Sequence, residues 1–445
     1  MIASMLVLAS FLLFVLVSFF LLFCSLPLSL ALVTKKKESI LGAGGKGKRG
    51  MPAVKGRVVG LEGSHAVSEA VKMVDVDVVA AYPITPQTHI VERLAEMVAN
   101  GELDAEFICV ESEHSAMSAC VGASAAGARA FTCTAAQGLE LMHEVLYVAS
   151  GMRFPVVMVV ANRALSAPLS IWCDHSDAMA VRDVSWIQMF AENNQEAFDL
   201  TVCAFRIAES VFFPAMLHMD GFYLSHVIED LILPDEEEVR NFVPDYEYPL
   251  PLDPEKPVSM GCFAPPYIYP EIKKAQEVAF EAAKAKVKEV WKEFAEIFGR
   301  QYNAVETYRM EDASVAMLIM GSVSETAMLA VDELRSEGKD VGLLRLRLWR
   351  PFPFEELRDA VRNLDLLIVV DRSISHGMGG PVCAEVKSAL YEARHRPKIV
   401  SFIAGLGGRD ITVKDFKQMF NAAIERSKKV EMQRTEAFEM WGIRE

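Results

Sequence analysis

The sequence lacks closely spaced cysteines. Its eight cysteines include no C-x-x-C pair, so no local spacing predicts a zinc ion or an iron–sulfur cluster on this chain. Cys109 and Cys133 lie in apolar runs, where a free cysteine behaves as a small hydrophobic residue. This usage predicts a protein of a reducing compartment, and we expect a cytoplasmic location.

The chain also has little positive charge. It carries 45 Lys and Arg against 60 Asp and Glu, for a formal net charge of −15. Nucleic acid is therefore not an expected partner, because its phosphates require a basic face. With 445 residues, of which 52% are hydrophobic and 24% charged, the sequence predicts a globular protein with room for two domains.

No charged residue occurs from Met5 to Val33, and this stretch exceeds the roughly 20 residues that cross a bilayer. No Lys or Arg precedes it, as one would in a secretory signal. It could be a membrane anchor, an atypical signal, or an extension outside the working protein. Residues 35–50 follow with six Lys or Arg against Glu38, in a glycine-rich run. We favour the extension, with a working chain that starts at Met51 and does not associate with membranes.

Two regions alternate strand and helix patterns, which predicts an α/β protein built on parallel sheets. In the first, residues 51–233, we predict strands at 76–82, 107–110, 130–134 and 155–161, and helices at 87–99, 114–127 and 138–150. In the second, residues 311–428, we predict strands at 314–320, 341–346, 365–370 and 398–403, and helices at 323–336, 354–363 and 379–393.

Other segments surround these two regions. Residues 234–310 hold nine prolines and then a charged helix over 271–298, which predicts a connector. Residues 429–445 form a tail, with a weak helix expected from residue 427 onward. Glycine-bearing turns at 377–380 and 405–409 follow strands of the second region, and they could cradle an anion or be ordinary tight turns.

The turn at residues 82–88 reads Tyr-Pro-Ile-Thr-Pro-Gln-Thr and follows the first predicted strand. Thr85 is placed to be a helix N-cap, with Pro86 as the first helical residue. A strand that enters a helix in this way brings free backbone N–H groups and a hydroxyl together. Such a place favours an anionic group.

Polar side chains follow all four predicted strands of the first region. They are Thr85, Glu113 with its neighbour His114, Gln137 and Arg163. In open parallel sheets, ligands bind at the carboxyl edge of the strands. Arg163 suits a substrate carboxylate because its guanidinium can bind two oxygens. Glu113 begins a nearly apolar helix, a place suited to an acid that holds or passes a proton.

Each of these residues also has an ordinary explanation. Thr85 could simply cap a helix, Glu113 could favour the helix dipole, and Arg163 could form a surface ion pair. His114 and the Asp-His-Ser-Asp cluster at 174–177 could ligate a metal, but their spacing is not a recognised one, and we expect no metal site on this chain. The functional hypothesis depends on Thr85, Glu113 and Arg163 meeting at one edge of the sheet, because no single one of these residues is sufficient.

Taken in order, these residues resemble the α subunit of the pyruvate:ferredoxin oxidoreductase family, which are thiamine-diphosphate enzymes. The matching stretches are 82–88 with Glu92, 111–116, 137–139, 161–164, 170–177, 220–222, 350–353 and 405–412. The resemblance covers roughly residues 58–428. It implies a thiamine-diphosphate-binding domain of the pyrimidine type, followed by a transketolase C-terminal-like α/β domain that usually serves assembly.

The resemblance also implies individual roles. Thr85 and Arg163 would hold the carboxylate and keto oxygen of a 2-oxoacid. Glu113 would hydrogen-bond the N1′ nitrogen of the cofactor's aminopyrimidine, and Tyr82 and Pro83 would contribute to cofactor binding. The implied reaction is oxidative decarboxylation of pyruvate with coenzyme A to acetyl-CoA and CO2, with electrons passed to ferredoxin.

The same resemblance implies a complex of several chains. The family's Gly-Asp-Gly…Asn motif for the Mg2+-diphosphate is absent from this sequence, as are cysteines spaced for clusters. Mg2+ and [4Fe-4S] clusters would therefore belong to separate β and δ subunits, with a γ subunit completing the complex. We expect this polypeptide alone to be inactive.

Two alternatives stay open. The subunit could act on branched-chain 2-oxoacids or 2-oxoglutarate, because capture by Thr85 and Arg163 does not distinguish these from pyruvate. The Gln-Thr pair at 87–88 is more typical of the pyruvate enzymes. A non-catalytic, membrane-tethered scaffold would instead use residues 5–33 as an anchor, and N-terminal sequencing of the natural protein discriminates between these hypotheses.

Overall fold

A computed structural model describes residues 56–428 and 438–444. The apolar stretch 5–33, the candidate start Met51 and residues 429–437 of the tail lie outside the described residues. Among the helices that are described, none is both long and apolar enough to span a bilayer.

The first domain alternates strands and helices as the sequence predicts, but it contains more elements than the four strands and three helices that were predicted. In chain order its elements are β1 (Arg57–Glu62), α1 (Gly63–Met73), β2 (Val78–Ala81), α2 (Thr88–Ala99), β3 (Glu106–Cys109), α3 (Glu113–Ala125), β4 (Ala130–Thr134), α4 (Ala136–Gly151), β5 (Val157–Asn162), α5 (Ser176–Ala180), β6 (Ile187–Phe190), α6 (Asn194–Val211), β7 (Ala215–Asp220) and β8 (Ile228–Leu233). Strands β2 to β7 form a parallel sheet in the order β6–β7–β5–β4–β2–β3, while β1 and β8 form a separate antiparallel pair.

The connector contains α7 (Glu236–Phe242), which the sequence did not predict, and the long helix α8 (Tyr269–Phe298). The second domain then contains, in chain order, β9 (Val305–Tyr308), β10 (Val315–Ile319), α9 (Val323–Ser336), β11 (Val341–Leu346), β12 (Leu348–Arg350), α10 (Phe354–Val361), β13 (Leu366–Asp371), α11 (Pro381–Tyr391), β14 (Lys398–Ile403), α12 (Val413–Ser427) and β15 (Glu439–Met440). Its sheet has the order β15–β14–β13–β10–β11–β9, parallel except for β9.

The described part of the tail, residues 438–444, differs from the predicted weak helix. Residues 439–440 form β15, which extends the second sheet beside β14. Trp441 follows and packs edge-on against Phe402 of β14, with 5.6 Å between ring centroids. The aromatic contact and the exposed edge of β14 explain why this short polar segment is extended, since tertiary pairing overrides weak local helix propensity.

The first sheet is covered by helices on both faces because its central strands are mostly apolar. In β5, Val157 and Val159 belong to the core beneath α1, α2, α6 and α8, whereas Met158 and Val160 belong to the core beneath α3 and α4. Alternate residues of a strand point to opposite faces, so a continuous apolar run is expected in a sheet that is buried on both sides. This arrangement leaves the carboxyl edge of the sheet as the place where polar loops gather.

The two domains share a sheet. Strand β12 follows β11 of the second domain directly, yet it pairs antiparallel with β6 and becomes the edge strand of the first sheet. Next to it, the buried guanidinium of Arg347 forms ion pairs with Glu196 at 2.5 Å and with Glu306 at 2.6 Å. A buried cation with carboxylates from both domains ties the two together across their junction.

Candidate active site

The polar loops at the carboxyl edge of the first sheet bring some of the predicted residues into contact. Arg163 follows β5 and is 7% exposed. Its Nη1 donates to the backbone oxygen of Thr85 at 2.9 Å, and its Nε donates to the backbone oxygen of Ser170 at 2.9 Å. Burial lowers the pKa of Arg163, partly offset by the nearby Asp177. Nη2 makes no hydrogen bond to the described residues, so it can bind a ligand.

The predicted cap at Thr85 is wrong. Helix α2 begins at Thr88, and Thr85, Pro86 and Gln87 form a turn in front of it. The N–H of Gln87 donates to the backbone oxygen of Ile84 at 2.9 Å, which closes this turn and delays the helix by two residues. The side chain of Thr85 therefore caps nothing, and it is exposed at the edge where Arg163 lies.

Gln87 is fully buried and fixes this turn to the sheet. Its Nε2 donates to the backbone oxygen of Tyr82 at 2.8 Å and to that of Cys133 at 3.2 Å, so it joins the ends of β2 and β4. The side chain of Tyr82 is 38% exposed, and Pro83 beside it is exposed. The two residues predicted for cofactor binding thus line an open surface.

Glu113 begins α3 and lies against the start of α4. It is 6% exposed, and its carboxylate makes no hydrogen bond within the described residues. Gly138 faces it so closely that an added Cβ would lie 2.6 Å from Oε1 of Glu113 and 2.4 Å from Oγ1 of Thr134. Oγ1 of Thr134 and both amide atoms of Gln137 are buried and have no partner among the described residues. A carboxyl, a hydroxyl and an amide therefore have unused hydrogen-bonding capacity here, which buried groups seldom retain.

Asp177 connects the loop that carries Arg163 with the start of α4, where Gln137 and Gly138 lie. Its Oδ2 accepts from the N–H of Ala136 at 3.1 Å and from the N–H of Arg163 at 2.9 Å. Its Oδ1 accepts from Nδ2 of Asn162 at 2.8 Å and from the N–H of Ala178 at 2.7 Å. Burial raises the pKa of Asp177 to about 7, against the lowering effect of these donors. The backbone of Ala136 has a φ of 39°, in the left-handed region, and this conformation is held by the bond to Asp177.

His175, one member of the 174–177 cluster considered for metal binding, belongs to a buried ion-pair network. Cys173, His175 and Asp220 bring potential ligand atoms within 4.8 Å of one another. However, Oδ1 of Asp220 lies 2.7 Å from Nε2 of His175, and Oδ2 accepts from Arg372 at 2.5 Å and from the N–H of Ser322 at 2.9 Å. Although burial raises it, Arg372 and His175 hold the pKa of Asp220 well below its usual range. The carboxylate oxygens are fully used by these partners.

Comparisons with known proteins show the family of this chain. A family model described as "Pyruvate flavodoxin/ferredoxin oxidoreductase, thiamine diP-bdg" matches residues 69–292, and "Pyruvate:ferredoxin oxidoreductase core domain II" matches residues 313–416. The "Pyruvate synthase subunit PorA" of Methanocaldococcus jannaschii is 50% identical over 370 residues, which is 81% of this chain and 93% of the relative. This chain belongs to the pyruvate:ferredoxin oxidoreductase family.

Other relatives support the same membership. The PorA subunit of Thermotoga maritima is 50% identical over 82% of this chain and 94% of its own length. The "Ketoisovalerate oxidoreductase subunit VorA" of Pyrococcus horikoshii is 47% identical over 83% of this chain and 93% of its own length. The sequence-based recognition of the family is confirmed.

Two solved structures show the fold. A 2-oxoglutarate:ferredoxin oxidoreductase from Magnetococcus marinus aligns with a TM-score of 0.63 and 18% identity, over 82% of this chain and 65% of that one. This chain thus spans just under two thirds of that protein. A split-gene transketolase aligns with a TM-score of 0.51 and 12% identity, over 83% of this chain and all of that one. The predicted fold, a thiamine-enzyme domain followed by a transketolase-like domain, is confirmed.

The residues at the edge of the first sheet suit the aminopyrimidine part of thiamine diphosphate. Glu113 offers a carboxyl without a hydrogen bond to the described residues, and Gly138 leaves beside it the space that a side chain would fill. Gln137 adds an unpaired amide in the same turn. The heterocycle has both donors and acceptors, so a carboxyl and an amide are appropriate partners.

Sequence reasoning missed three residues that organise the site, namely Asp177, Gln87 and Gly138. Asp177 was noticed only as part of a candidate metal cluster, and Gln87 only as a marker of substrate class. Four loops follow buried strands and meet at one edge of the sheet, and Asp177 lies in the chain segment that follows the last of these loops. This placement of a carboxylate could have indicated Asp177. The need for glycine at 138 depends on the approach of Glu113 from another loop, which spacing along the chain does not reveal.

Proposed function

We propose that this chain is the α subunit of a multi-subunit pyruvate:ferredoxin oxidoreductase. The complex converts pyruvate and coenzyme A to acetyl-CoA and CO2 and reduces ferredoxin, using thiamine diphosphate shared between this chain and a β subunit. The observation that carries the proposal is the unpaired carboxyl of Glu113 against Gly138, on the edge where Arg163 also lies. The PorA relatives match this chain over nearly their whole length, which supports the same reading.

Arg163 binds the carboxylate of the 2-oxoacid in this proposal. Two of its nitrogens are committed to the backbone oxygens of Thr85 and Ser170, so the guanidinium plane is fixed while Nη2 faces the ligand. A cation that is already oriented loses little conformational entropy on binding. The exposed hydroxyl of Thr85 lies on the same edge and donates to a substrate oxygen.

Glu113 holds a proton at the N1′ nitrogen of the cofactor's aminopyrimidine. Its burial keeps water away from this contact, and a carboxyl in such a place can donate or accept a proton without reorganisation. Thiamine diphosphate, when bound, supplies the electron sink that the loss of CO2 from a 2-oxoacid requires. Tyr82 and Pro83 line the open side of the site, where the β subunit would close it.

The remaining cofactors belong to partner subunits in this proposal. The Mg2+ that binds the diphosphate is assigned to the β subunit, and the [4Fe-4S] clusters to a small cysteine-rich δ subunit, with γ completing the complex. The supporting observation is that five of the described cysteines are buried, where burial raises the pKa of Cys120 to about 12 and disfavours the thiolate that ligates iron. Electrons from the substrate then leave through the partners to ferredoxin.

The test is a matched pair of substitutions in the reconstituted complex. Glu113→Gln keeps the size of the side chain and removes its titratable proton, so turnover of pyruvate should fall by at least ~100-fold. Glu237→Gln makes the same chemical change at an exposed position in the first turn of α7, and it should leave turnover unchanged. Pyruvate-dependent reduction of ferredoxin measures both. Normal turnover in Glu113→Gln would refute the assignment and favour a non-catalytic scaffold.

A second substrate class has support of its own. The VorA relative is 47% identical to this chain, nearly as similar as the PorA relatives, so branched-chain 2-oxoacids are the alternative substrates, followed by 2-oxoglutarate. Turnover of the complex with pyruvate, 3-methyl-2-oxobutanoate and 2-oxoglutarate separates them. We expect the highest kcat/KM for pyruvate, and a higher value for either other acid would reassign the substrate.

A further inference from the structure

A loop of the second domain contacts the active-site edge of the first. We call residues 405–408 the glycine loop and residues 170–175 the edge segment. The N–H of Gly408 donates to the backbone oxygen of Cys173 at 2.6 Å, and the N–H of Gly407 donates to Oδ2 of Asp174 at 3.1 Å. Two consecutive amides of the glycine loop therefore hold the edge segment.

The edge segment in turn holds the guanidinium of Arg163. The backbone oxygen of Ser170 accepts from Nε of Arg163 at 2.9 Å. The backbone oxygen of Trp172 accepts from the N–H of Ala164 at 3.0 Å, so the segment folds back on the residue that follows Arg163. Any shift of the edge segment changes the position of one of the two acceptors that orient the guanidinium.

The contact leaves no room for a side chain at position 408. A Cβ added to Gly408 would lie 2.4 Å from Cβ and 3.2 Å from Cγ of Trp172, and Gly408 has a φ of +77°. Because the neighbouring Cβ is attached directly to the backbone, rotation of the Trp172 side chain cannot relieve this clash, and the backbone of the edge segment or of the glycine loop would have to move. Glycine is required here by both the close approach and the backbone conformation.

Further bonds fasten the same two pieces. The hydroxyl of Tyr223 lies 2.7 Å from the backbone oxygen of Gly408 and 2.8 Å from Oδ1 of Asp410, which fixes the glycine loop to the first domain. At the other end of the edge segment, the N–H of His175 donates to the backbone oxygen of Arg372 at 2.8 Å. Arg372 lies directly after β13, so a second loop of the second domain also contributes.

We propose that the glycine loop of the second domain is a positioning element for substrate binding, which sets the guanidinium of Arg163 through the edge segment. The second domain thereby takes part in substrate recognition as well as in assembly. This inference rests on the proposed function, because it assumes that Arg163 binds the carboxylate of the 2-oxoacid. In this proposal the glycine loop acts through the edge segment and does not itself bind the substrate.

The test compares Gly408→Ala with Gly338→Ala in the reconstituted complex. Gly338 has nearly the same φ, +78°, and lies in the same domain, but an added Cβ meets nothing within 4 Å there. The control therefore carries the backbone strain of a left-handed alanine without the clash. We expect Gly408→Ala to raise the KM for pyruvate by about ten- to a hundredfold, the scale of a weakened hydrogen bond to a charged group, while Gly338→Ala leaves it unchanged.

A second measurement separates positioning from general damage. Exchange of the C2 hydrogen of bound thiamine diphosphate with deuterium depends on Glu113 and needs no substrate, so Gly408→Ala should leave its rate within about twofold of the original protein. An unchanged KM in the folded Gly408→Ala complex would overturn the inference, and so would an equal loss of exchange. Absence of pyruvate turnover in the unsubstituted complex would instead overturn the proposed function itself.

Tyr223→Phe keeps the inference testable if Gly408→Ala fails to assemble. It removes the hydroxyl that fastens Gly408 and adds no atom, so we expect a smaller rise in KM, about two- to tenfold, with kcat little changed. Thermal unfolding of the complex checks that the variant is folded. A KM for pyruvate equal to that of the unsubstituted complex would contradict the inference.

Discussion

Replacement of Gly138 by alanine should separate the function of Glu113 from its contribution to stability. The new Cβ would lie 2.6 Å from Oε1 of Glu113, whereas ordinary contacts begin near 3.4 Å. The new Cβ would also lie 2.8 Å from Cγ of Glu113 and 2.4 Å from Oγ1 of Thr134, so the Glu113 side chain must shift as a whole by about 1 Å, and Thr134 must move as well. A displacement of that size at a catalytic group costs about 100-fold in rate.

The stability of the variant should fall as well, because these displacements overpack a buried site at a cost of about 1–3 kcal/mol. Alanine is favoured over glycine inside a helix by roughly 0.5–1 kcal/mol, which offsets part of the cost of moving Thr134 and Glu113. Gly151→Ala is the matched control, because Gly151 ends the same helix and an added Cβ meets nothing within 4 Å. We expect full activity in Gly151→Ala, and a loss of about 100-fold in kcat/KM with a modest fall in Tm in Gly138→Ala.

The assay is pyruvate-dependent reduction of ferredoxin by the reconstituted complex, followed spectrophotometrically. A double substitution tests whether the clash acts through Glu113. If it does, adding Gly138→Ala to Glu113→Gln should cost little further activity, because the group that it displaces is already disabled. Activity of Gly138→Ala within about threefold of the unsubstituted complex, or full additivity in the double variant, would refute the reasoning.

Three further substitutions test the surrounding structure. Asp177→Asn presents an amide N–H to backbone N–H groups that now donate to a carboxylate. We expect kcat/KM to fall by about 100-fold, while circular dichroism shows that the fold is retained. Unchanged kinetics would contradict the role of Asp177 in linking the parts of the site. Arg347→Ala leaves Glu196 and Glu306 without their buried cation. Chemical denaturation should show that the free energy of unfolding falls by about 3–5 kcal/mol. A fall below about 1 kcal/mol would show that these ion pairs do not hold the two domains together. Burial raises the pKa of Asp371 to about 7, so the folded chain binds this proton more tightly than the unfolded chain. The resulting stabilisation is full below about pH 4 and is lost as pH rises through about 7. The Tm of the unsubstituted protein should therefore fall relative to the Tm of Asp371→Asn between pH 5 and pH 8. A difference in Tm that stays constant over this range would contradict the raised pKa of Asp371.

Part of the order of elements could be predicted from the sequence, where apolar strand runs and amphipathic helices repeat clearly; β1, α1, β6, α6, β7 and β8 of the first domain were not predicted individually. The predicted strand at 130–134 is β4 (Ala130–Thr134), and the predicted helix at 323–336 is α9 (Val323–Ser336). The convergence of Arg163 with the Thr85 turn was also predictable, since parallel strands end at one edge. These features follow from patterns that are local or that the sheet type imposes.

The remaining features depend on contacts between distant segments. The start of α2 at Thr88 follows from a turn hydrogen bond of Gln87, and capping preferences at Thr85 gave no sign of it. The four donors to Asp177 come from three separate segments, at the start of α4, at the end of β5 and in α5, so no spacing along the chain indicates them. The pairing of β12 with β6 was missed because three residues are too few for a periodicity signal.

That short strand has a consequence for how the protein is made. Because β12 (Leu348–Arg350) completes the first sheet, the amino-terminal half cannot finish its architecture until more than three quarters of the polypeptide has left the ribosome. Until then β6 exposes an open edge, the kind of surface that recruits chaperones or pairs with other nascent chains. For the same reason, cutting the proline-rich connector would not release two independent folding units, and the halves would have to be produced together.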